Sequence, residues 1–174
     1  MTAEKQVHNI APLYDEKSQI LILGSFPSVK SREAAFFYAH PQNRFWRVMA
    51  YVLGCPVPVS VEEKKAMLHG GHVALWDTIA SCTITGSSDA SIRDAVPNDL
   101  NEILKAAPIR QIFTNGGTSH RVYRKYQYRQ LGRADICLPS TSPANARCSL
   151  DALKDTWSRE LWPFLGGKGA DRDE

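Results

Sequence analysis

Long apolar runs and targeting signals are both missing from this sequence. No stretch approaches the roughly 20 consecutive apolar residues that a membrane-spanning helix needs. The first residues, MTAEKQVHNIAPLYDEK, lack the basic and then apolar order of a secretory signal peptide. These absences argue against a membrane partner, and we expect a cytoplasmic protein.

Cysteine is scarce, and the four cysteines form no ligand pattern. Cys55, Cys82, Cys137 and Cys148 are scattered, without a C-x-x-C pair or a nearby histidine at ligand spacing. Such spacing favours reduced, buried thiols over a metal site or an iron–sulfur cluster. We therefore expect no metal and no other cofactor.

Acidic residues are absent from one long segment of a chain that is otherwise balanced in charge. The 174 residues include 21 basic and 18 acidic side chains, which leaves a net charge of +3. From Lys105 to Arg133, however, basic residues recur without a single Asp or Glu. A segment of one charge suits a phosphate backbone, although a solvated helix face would produce the same pattern.

The overall composition is that of a globular protein. Hydrophobic residues make up 43% of the chain and charged residues 22%. A chain of this length buries about two-thirds of its unfolded surface as one domain. We expect a single domain over residues 1–165 and a disordered tail, GGKGADRDE, over residues 166–174.

Apolar runs alternate with helical periods along the chain. Short apolar runs predict buried strands over residues 19–25, 72–78, 109–115 and 134–140. Apolar residues at helical spacing, with their caps, predict helices over residues 43–54, 61–71, 99–107, 116–130 and 149–165. In the fourth helix Val122, Tyr126 and Tyr123 are expected to face inward. Segment 79–99 is rich in small polar residues and is predicted to be a loop with a short turn.

This alternation predicts the α/β class, with a parallel sheet covered by helices on both sides. In such sheets the ligand crevice lies outside the carboxyl ends of the strands. The loops that leave those ends are residues 24–46, 77–94, 115–120 and 139–148, and they are also the segments richest in Asn, Ser, Thr, Gly, Asp and Pro. We expect the functional site there.

Three sequence blocks in these loops carry a family resemblance. They are LILGSFP, YAHPQNRFW and LPSTSPAN. Together they resemble the uracil-DNA glycosylase superfamily, and GSFPS with HPQNRFW is most similar to its hypoxanthine-DNA (deoxyinosine) glycosylase branch. The resemblance extends from about Ile20 to Leu165. It implies a three-layer α/β/α fold with a small four-stranded parallel sheet, and monofunctional hydrolysis of the bond between deoxyribose and a damaged base, without a metal.

The chain departs from two other branches of that superfamily at catalytic positions. The mismatch-specific branch has the motif G-I-N-P-G, and its water-positioning asparagine aligns with Phe26. The uracil-specific branch uses an aspartate that is absent between Gly24 and Lys30, and a histidine where this chain has Ser140. The expected substrate is therefore hypoxanthine in DNA. The alternatives are a mismatch-specific uracil/thymine glycosylase and a lesion-binding protein without catalysis.

Asn43 is the main catalytic candidate. An amide cannot act as a general base, but it can hold a water by accepting one hydrogen bond and donating another. The resemblance implies this role. The residues alone favour Asn43 as the N-cap of the helix that follows, and the two roles do not exclude each other.

Three further residues are candidates for binding the base or for positioning the attacking water. Phe26 follows a buried strand, so its ring either stacks on a base flipped out of the duplex or packs in the core. Asp77 either reads the edge of the base, activates water or closes its strand as an Asx turn. Asn115 either points toward the base or water or is a simple turn residue.

The remaining candidates are assigned by loop position and by the resemblance. Residues expected at the base are Gly24, Ser25, Phe26, Pro27, His40 and Phe45. Residues expected at the DNA backbone or the duplex are Ser28, Lys30, Arg44, Gly116, Gly117, His120, Arg121, Ser140, Thr141, Ser142, Pro143, Ala144, Asn145 and Arg147. The expected partner is double-stranded DNA that contains a deaminated base. We expect a monomer that associates with the nucleoid through its DNA binding.

Overall fold

The computed structural model describes residues 2–165, and their central element is a four-stranded parallel sheet. The strands of the chain are β1 (Ala3–Val7), β2 (Ile20–Gly24), β3 (Val73–Asp77), β4 (Ile79–Thr85), β5 (Arg93–Pro97), β6 (Gln111–Asn115) and β7 (Asp135–Leu138). The parallel sheet has the order β3-β2-β6-β7. Its four members are the four strands that the apolar runs predict.

Helices cover both faces of this sheet because β2, one of its two inner strands, is apolar on both sides. The helices are α1 (Val29–Ala34), α2 (Phe45–Leu53), α3 (Val61–Gly70), α4 (Asn101–Ala106), α5 (Gly117–Val122), α6 (Tyr128–Leu131) and α7 (Leu150–Leu161). Ile20 and Ile22 pack with α2, α3 and α7, whereas Leu21 and Leu23 pack with α4 and Tyr123. The predicted three-layer α/β/α fold is confirmed.

Residues 79–99 are not the polar loop that their composition predicts. They contain β4 and β5, which form a second, antiparallel sheet with the N-terminal β1 in the order β1-β4-β5. Ile79, Cys82 and Ile84 of β4 are buried in one cluster with Phe26. Because small polar residues lie between them in the sequence, no apolar run predicts this strand. β1 is largely exposed and has no apolar pattern, so its pairing with β4 defines it as a strand.

The basic helix predicted over residues 116–130 is present but irregular. A π-helical turn over Tyr123–Gln127 separates α5 from α6. In this turn Tyr123 and Gln127 are buried, so Tyr123 faces inward as predicted. Val122 is partly buried and packs inward against the cluster of Phe26 and β4, and Tyr126 is partly buried. The Gln127 amide donates to the carbonyl of Thr78 at 2.8 Å, which ties this helix to the end of β3.

The predicted caps of two helices are present. Ser149 accepts a hydrogen bond from the Ala152 N–H at 3.1 Å and starts α7, and Gly54 ends α2 with a φ of 73°. Between residues 2 and 165, no helix is long and apolar enough to cross a membrane. The predicted tail, residues 166–174, lies outside the described residues.

Candidate active site

The carboxyl ends of the four parallel strands surround a cavity of about 710 Å³. This volume is within the range of pockets that bind small organic ligands. The loops that follow β2, β3, β6 and β7 all contribute to its lining, as their positions predict. All predicted site residues line it except Lys30, His40, Arg44, Phe45, His120, Arg121, Pro143 and Arg147.

Asn43 lies one residue before the N-cap of helix α2 and also lines the cavity. The N-cap is Arg44, so the alternative prediction that Asn43 is the N-cap is wrong. Its side-chain oxygen accepts hydrogen bonds from the Phe45 N–H and from the Thr141 hydroxyl, both at 2.9 Å. A carbonyl oxygen has two lone pairs, so this oxygen has no capacity left for a water. Its Nδ2 has no acceptor among residues 2–165, so the group that Asn43 offers to the cavity is a pair of N–H donors. The contact with the first helical N–H and a role in the cavity therefore use different atoms of one side chain.

Asn115 and Thr141 hold the Asn43 amide in this orientation. The Asn115 Nδ2 donates to the Thr141 hydroxyl at 3.0 Å and to the Tyr38 hydroxyl at 3.2 Å. Its oxygen accepts the Thr141 N–H at 3.1 Å. Thr141 is fully buried, and its hydroxyl donates a hydrogen bond to the Asn43 oxygen. Asn115 lines the cavity with both amide N–H groups committed to this network.

Tyr38 contributes a neutral hydroxyl to the same cavity. Its ring stacks on Phe45 with the centroids 4.0 Å apart. Burial, and to a lesser degree the charge of Asp77, raises the pKa of Tyr38, so the phenol remains protonated. Phe45 itself is fully buried and supports the cavity from beneath this ring.

Asp77 is a buried carboxylate at the end of β3. Its Oδ2 lies 2.7 Å from Nε2 of His8, and the two side chains are only 6% and 5% exposed. Asp77 pairs in register with Gly24, and its Oδ1 lies over that end of β2. Among residues 2–165, no group donates a hydrogen bond to Oδ1. A Cβ on Gly24 would overlap this oxygen, so the carboxylate position requires glycine at the end of β2.

A second carboxylate, Asp89, lies at the edge of the cavity on the 3₁₀ turn Asp89–Ser91. Both of its oxygens accept from the Ser25 hydroxyl, at 3.0 and 3.1 Å. The carboxylate is desolvated against Ser25 although the residue as a whole is exposed, and this desolvation raises the pKa of Asp89. The Ser25 hydrogen bond acts in the opposite direction. Sequence reasoning missed Asp89, although its loop was already placed at the strand ends.

Phe26 joins the cavity to the second sheet. It is 7% exposed and packs against Ile79 and Cys82 of β4. Its ring meets the His8 ring edge to face at 6.0 Å, and the Arg32 guanidinium lies 5.6 Å from its centroid. Phe26 therefore packs in a small core, as one of the two sequence interpretations predicts, and also lines the cavity.

The Arg44 side chain points into the protein rather than toward solvent. Its guanidinium donates to the backbone carbonyls of Ser142 at 2.8 Å, Asn145 at 3.0 Å and Cys148. A guanidinium bound by three carbonyls is not free to contact a phosphate. Arg44 instead holds the loop over residues 140–148 against the cavity.

The other predicted DNA contacts outside the cavity lie on the surface around it. His120 is 2.6 Å from the buried carboxylate of Asp135, and Arg121 donates to the Thr118 hydroxyl. The Nδ1 of His40 accepts the Gln42 N–H. Lys30, Pro143 and Arg147 are exposed.

Gly116 marks a second close approach at the strand ends. It has a φ of 98°, and a Cβ there would lie 3.0 Å from Cβ of Ser140. We expect Gly116→Ala to lower the free energy of unfolding by about 2 to 4 kcal/mol, through backbone strain and crowding. Gly132→Ala is the matched control, since Gly132 has a φ of 64° with no neighbouring atom within 4 Å, and should cost about 1 to 2 kcal/mol.

Urea denaturation of the two variants measures this difference. Equal losses at Gly116 and Gly132 would show that Ser140 does not restrict the turn.

The sequence of this chain matches the family model of the uracil DNA glycosylase superfamily over residues 11–166. The chain belongs to that superfamily. It is therefore a DNA glycosylase of the uracil DNA glycosylase superfamily, which confirms the resemblance carried by GSFPS, HPQNRFW and PSTSPAN.

Two relatives of this superfamily member come from Methanosarcina species. A hypoxanthine DNA glycosylase of Methanosarcina acetivorans is 32% identical over 136 residues, which cover 78% of this chain and 85% of the relative. A hypoxanthine DNA glycosylase of Methanosarcina barkeri is 30% identical over 148 residues, which cover 84% of this chain and 92% of the relative.

A solved structure also resembles this glycosylase fold. It is the solution NMR structure of a candidate uracil DNA glycosylase from Methanosarcina acetivorans. The two structures superpose with a TM-score of 0.73 at 29% identity, and the match covers 88% of this chain and 98% of the other.

Proposed function

We propose that this glycosylase removes hypoxanthine from DNA as the first step of base-excision repair. One observation carries the proposal: a free amide donor on Asn43 and a free carboxylate oxygen on Asp77 line one cavity, beside the non-polar Phe26. The names of the two Methanosarcina relatives support the choice of hypoxanthine. The substrate is double-stranded DNA containing deoxyinosine, and the enzyme acts as a monomer.

The chemistry divides between these two side chains. Hydrolysis passes through an oxocarbenium-like sugar and needs a water at C1′. Because the Asn43 oxygen is fully used, Asn43 holds the water as a donor, and the proton acceptor has to be another group. The Oδ1 of Asp77 is that acceptor, and its negative charge also stabilises the cationic sugar.

The bonds change in one balanced step. The water oxygen bonds to C1′ while the bond from C1′ to N9 of the base breaks. The water proton passes to Asp77, and the base leaves with the bonding electrons. Hypoxanthine spreads that charge over O6 and N7 until it is protonated by solvent. A weak base such as a carboxylate is therefore adequate.

The base has to leave the duplex to reach this cavity. Phe26 offers the ring on which it stacks, and Gly24, Ser25 and Pro27 form the adjoining wall. An alternative role for Asp77 is to accept the N1–H of the base. Its single free oxygen cannot fill both roles at once.

The DNA backbone is bound at the rim of the cavity. Gly117 brings its backbone N–H to this edge, whereas the N–H of Gly116 already donates to the Leu138 carbonyl at 2.9 Å. The loop over residues 140–145 adds hydroxyls and the Asn145 amide. Arg121 and Arg147 on the exposed surface supply positive charge for the flanking phosphates.

A panel of duplexes tests the proposed function. Each duplex carries hypoxanthine, uracil, xanthine or thymine opposite each normal base, and alkaline cleavage on a gel reports abasic product. We expect the fastest release from the hypoxanthine duplexes. Faster release of mismatched uracil or thymine would assign the chain to a mismatch-specific activity. Tight binding to deoxyinosine without abasic product at any pH would indicate a lesion-binding protein.

A further inference from the structure

We infer that His8, in the N-terminal segment, is a positioning residue for the hydrolysis because it presents Asp77 Oδ1 to the attacking water. This inference rests on the proposed function. His8 lies directly after β1, 69 residues before Asp77 in the sequence, and its Nε2 is 2.7 Å from Asp77 Oδ2. Oδ2 is thereby occupied, and Oδ1 is left as the free acceptor in the cavity.

The second ring nitrogen defines the protonation state of His8. Nδ1 accepts the backbone N–H of Ile10 at 3.2 Å, so Nδ1 carries no proton. Nε2 then carries the single ring proton and donates it to Asp77. A doubly protonated ring would direct an N–H at the Ile10 N–H, so this geometry holds His8 neutral.

A neutral donor has a specific advantage beside a catalytic carboxylate. The charged or titratable groups that face Asp77 are His8, Tyr38 and Asp89, and in residues 2–165 no Lys or Arg forms an ion pair with it. An arginine in place of His8 would orient the carboxylate but would also neutralise it. The neutral imidazole orients Asp77 and leaves its full negative charge for the water proton and the sugar.

The second sheet holds the His8 ring in place. The His8 N–H donates to the carbonyl of Ala80 in β4 at 2.7 Å. The ring lies edge to face between Phe26 at 6.0 Å and Trp76 at 6.1 Å. Neither aromatic side chain has an acceptor atom that could replace Asp77 as the hydrogen-bond partner of Nε2. The antiparallel sheet therefore contributes to the active site by positioning His8 at the end of β3.

Variants of His8 test this role in a single-turnover excision assay. We expect His8→Ala to lower the rate constant of excision by roughly 10- to 100-fold, with the half-saturating DNA concentration changed by less than about twofold. His8→Gln retains an N–H donor and should recover part of the rate. The matched control is His69→Gln, because His69 also pairs with an aspartate, Asp15 at 3.2 Å, but lies outside the cavity. It should excise at the wild-type rate.

A double-mutant cycle with Asp77→Asn separates positioning from general stability. If His8 acts through the carboxylate, His8→Ala should have almost no further effect on excision once Asp77 is asparagine. Full additivity of the two losses would overturn the inference, as would wild-type excision by His8→Ala. Wild-type protein that excises no base from any duplex would instead overturn the proposed function.

A measurement on the wild-type protein keeps the inference testable if the His8 variants fail to fold. Nitrogen-15 NMR of the His8 ring at neutral pH should show a protonated Nε2 and an unprotonated Nδ1. An unprotonated Nε2 would overturn the donation to Asp77, and protons on both ring nitrogens would overturn the role as a neutral donor.

Discussion

Asn43→Ala is expected to slow the excision of hypoxanthine by roughly 10²- to 10³-fold while DNA affinity stays nearly unchanged. The alanine removes the only amide donor that Asn43 offers to the cavity, because the oxygen of this side chain is bound to Phe45 and Thr141. It also removes the hydrogen bond from the Phe45 N–H at the start of α2, which costs about 1 kcal/mol of stability. Single-turnover excision on a deoxyinosine duplex and a binding titration measure the two quantities separately.

Asn43→Asp is the control that separates the hydrogen bond to the start of α2 from the chemistry. Aspartate keeps an oxygen for the Phe45 N–H and the Thr141 hydroxyl, and its charge suits a helix N-terminus. It has no N–H to donate. We therefore expect near-wild-type stability with excision as slow as in Asn43→Ala. Rapid excision by both Asn43→Ala and Asn43→Asp would show that Asn43 has no role in the reaction.

Asp77→Asn is expected to have an effect of similar or greater size, roughly 10²- to 10⁴-fold on the rate constant of excision. The asparagine oxygen still accepts the His8 N–H, so the shape of the site is preserved. The group next to Gly24 becomes an amide, which cannot take a proton from water and has no charge for the cationic sugar. Asp155→Asn is the matched control, since Asp155 is an exposed partner of Arg159 on α7.

The substrate panel decides which role of Asp77 the variant has removed. Loss of water activation slows the release of every base that the wild type excises. A loss confined to hypoxanthine would show that Asp77 reads the N1–H of the base. Wild-type rates on all duplexes would remove Asp77 from the reaction altogether.

Several parts of this structure follow from short-range patterns. The apolar run ILILG predicts a strand that is buried on both faces, and β2 is such a strand. Four runs of this kind, alternating with helices, predict the parallel sheet, and the sheet places Asn43, Asp77 and Asn115 at one cavity. These features are predictable because a strand's apolar period and the direction of a βαβ crossover depend on nearby residues.

Other features of the structure depend on contacts between distant segments, which no local sequence pattern predicts. β1 is exposed and polar, and only its hydrogen bonds to β4, some 80 residues away, make it a strand. His8 follows β1 in a segment without any catalytic signature. The sequence by itself determined the fold class, the edge of the sheet that carries the site and the residue types present there. Only the tertiary structure decided that Asn43 offers donors rather than its oxygen, that Arg44 faces inward and that His8 meets Asp77. Each of these depends on which partners occupy a side chain's hydrogen-bonding atoms, and those partners come from distant segments of the chain.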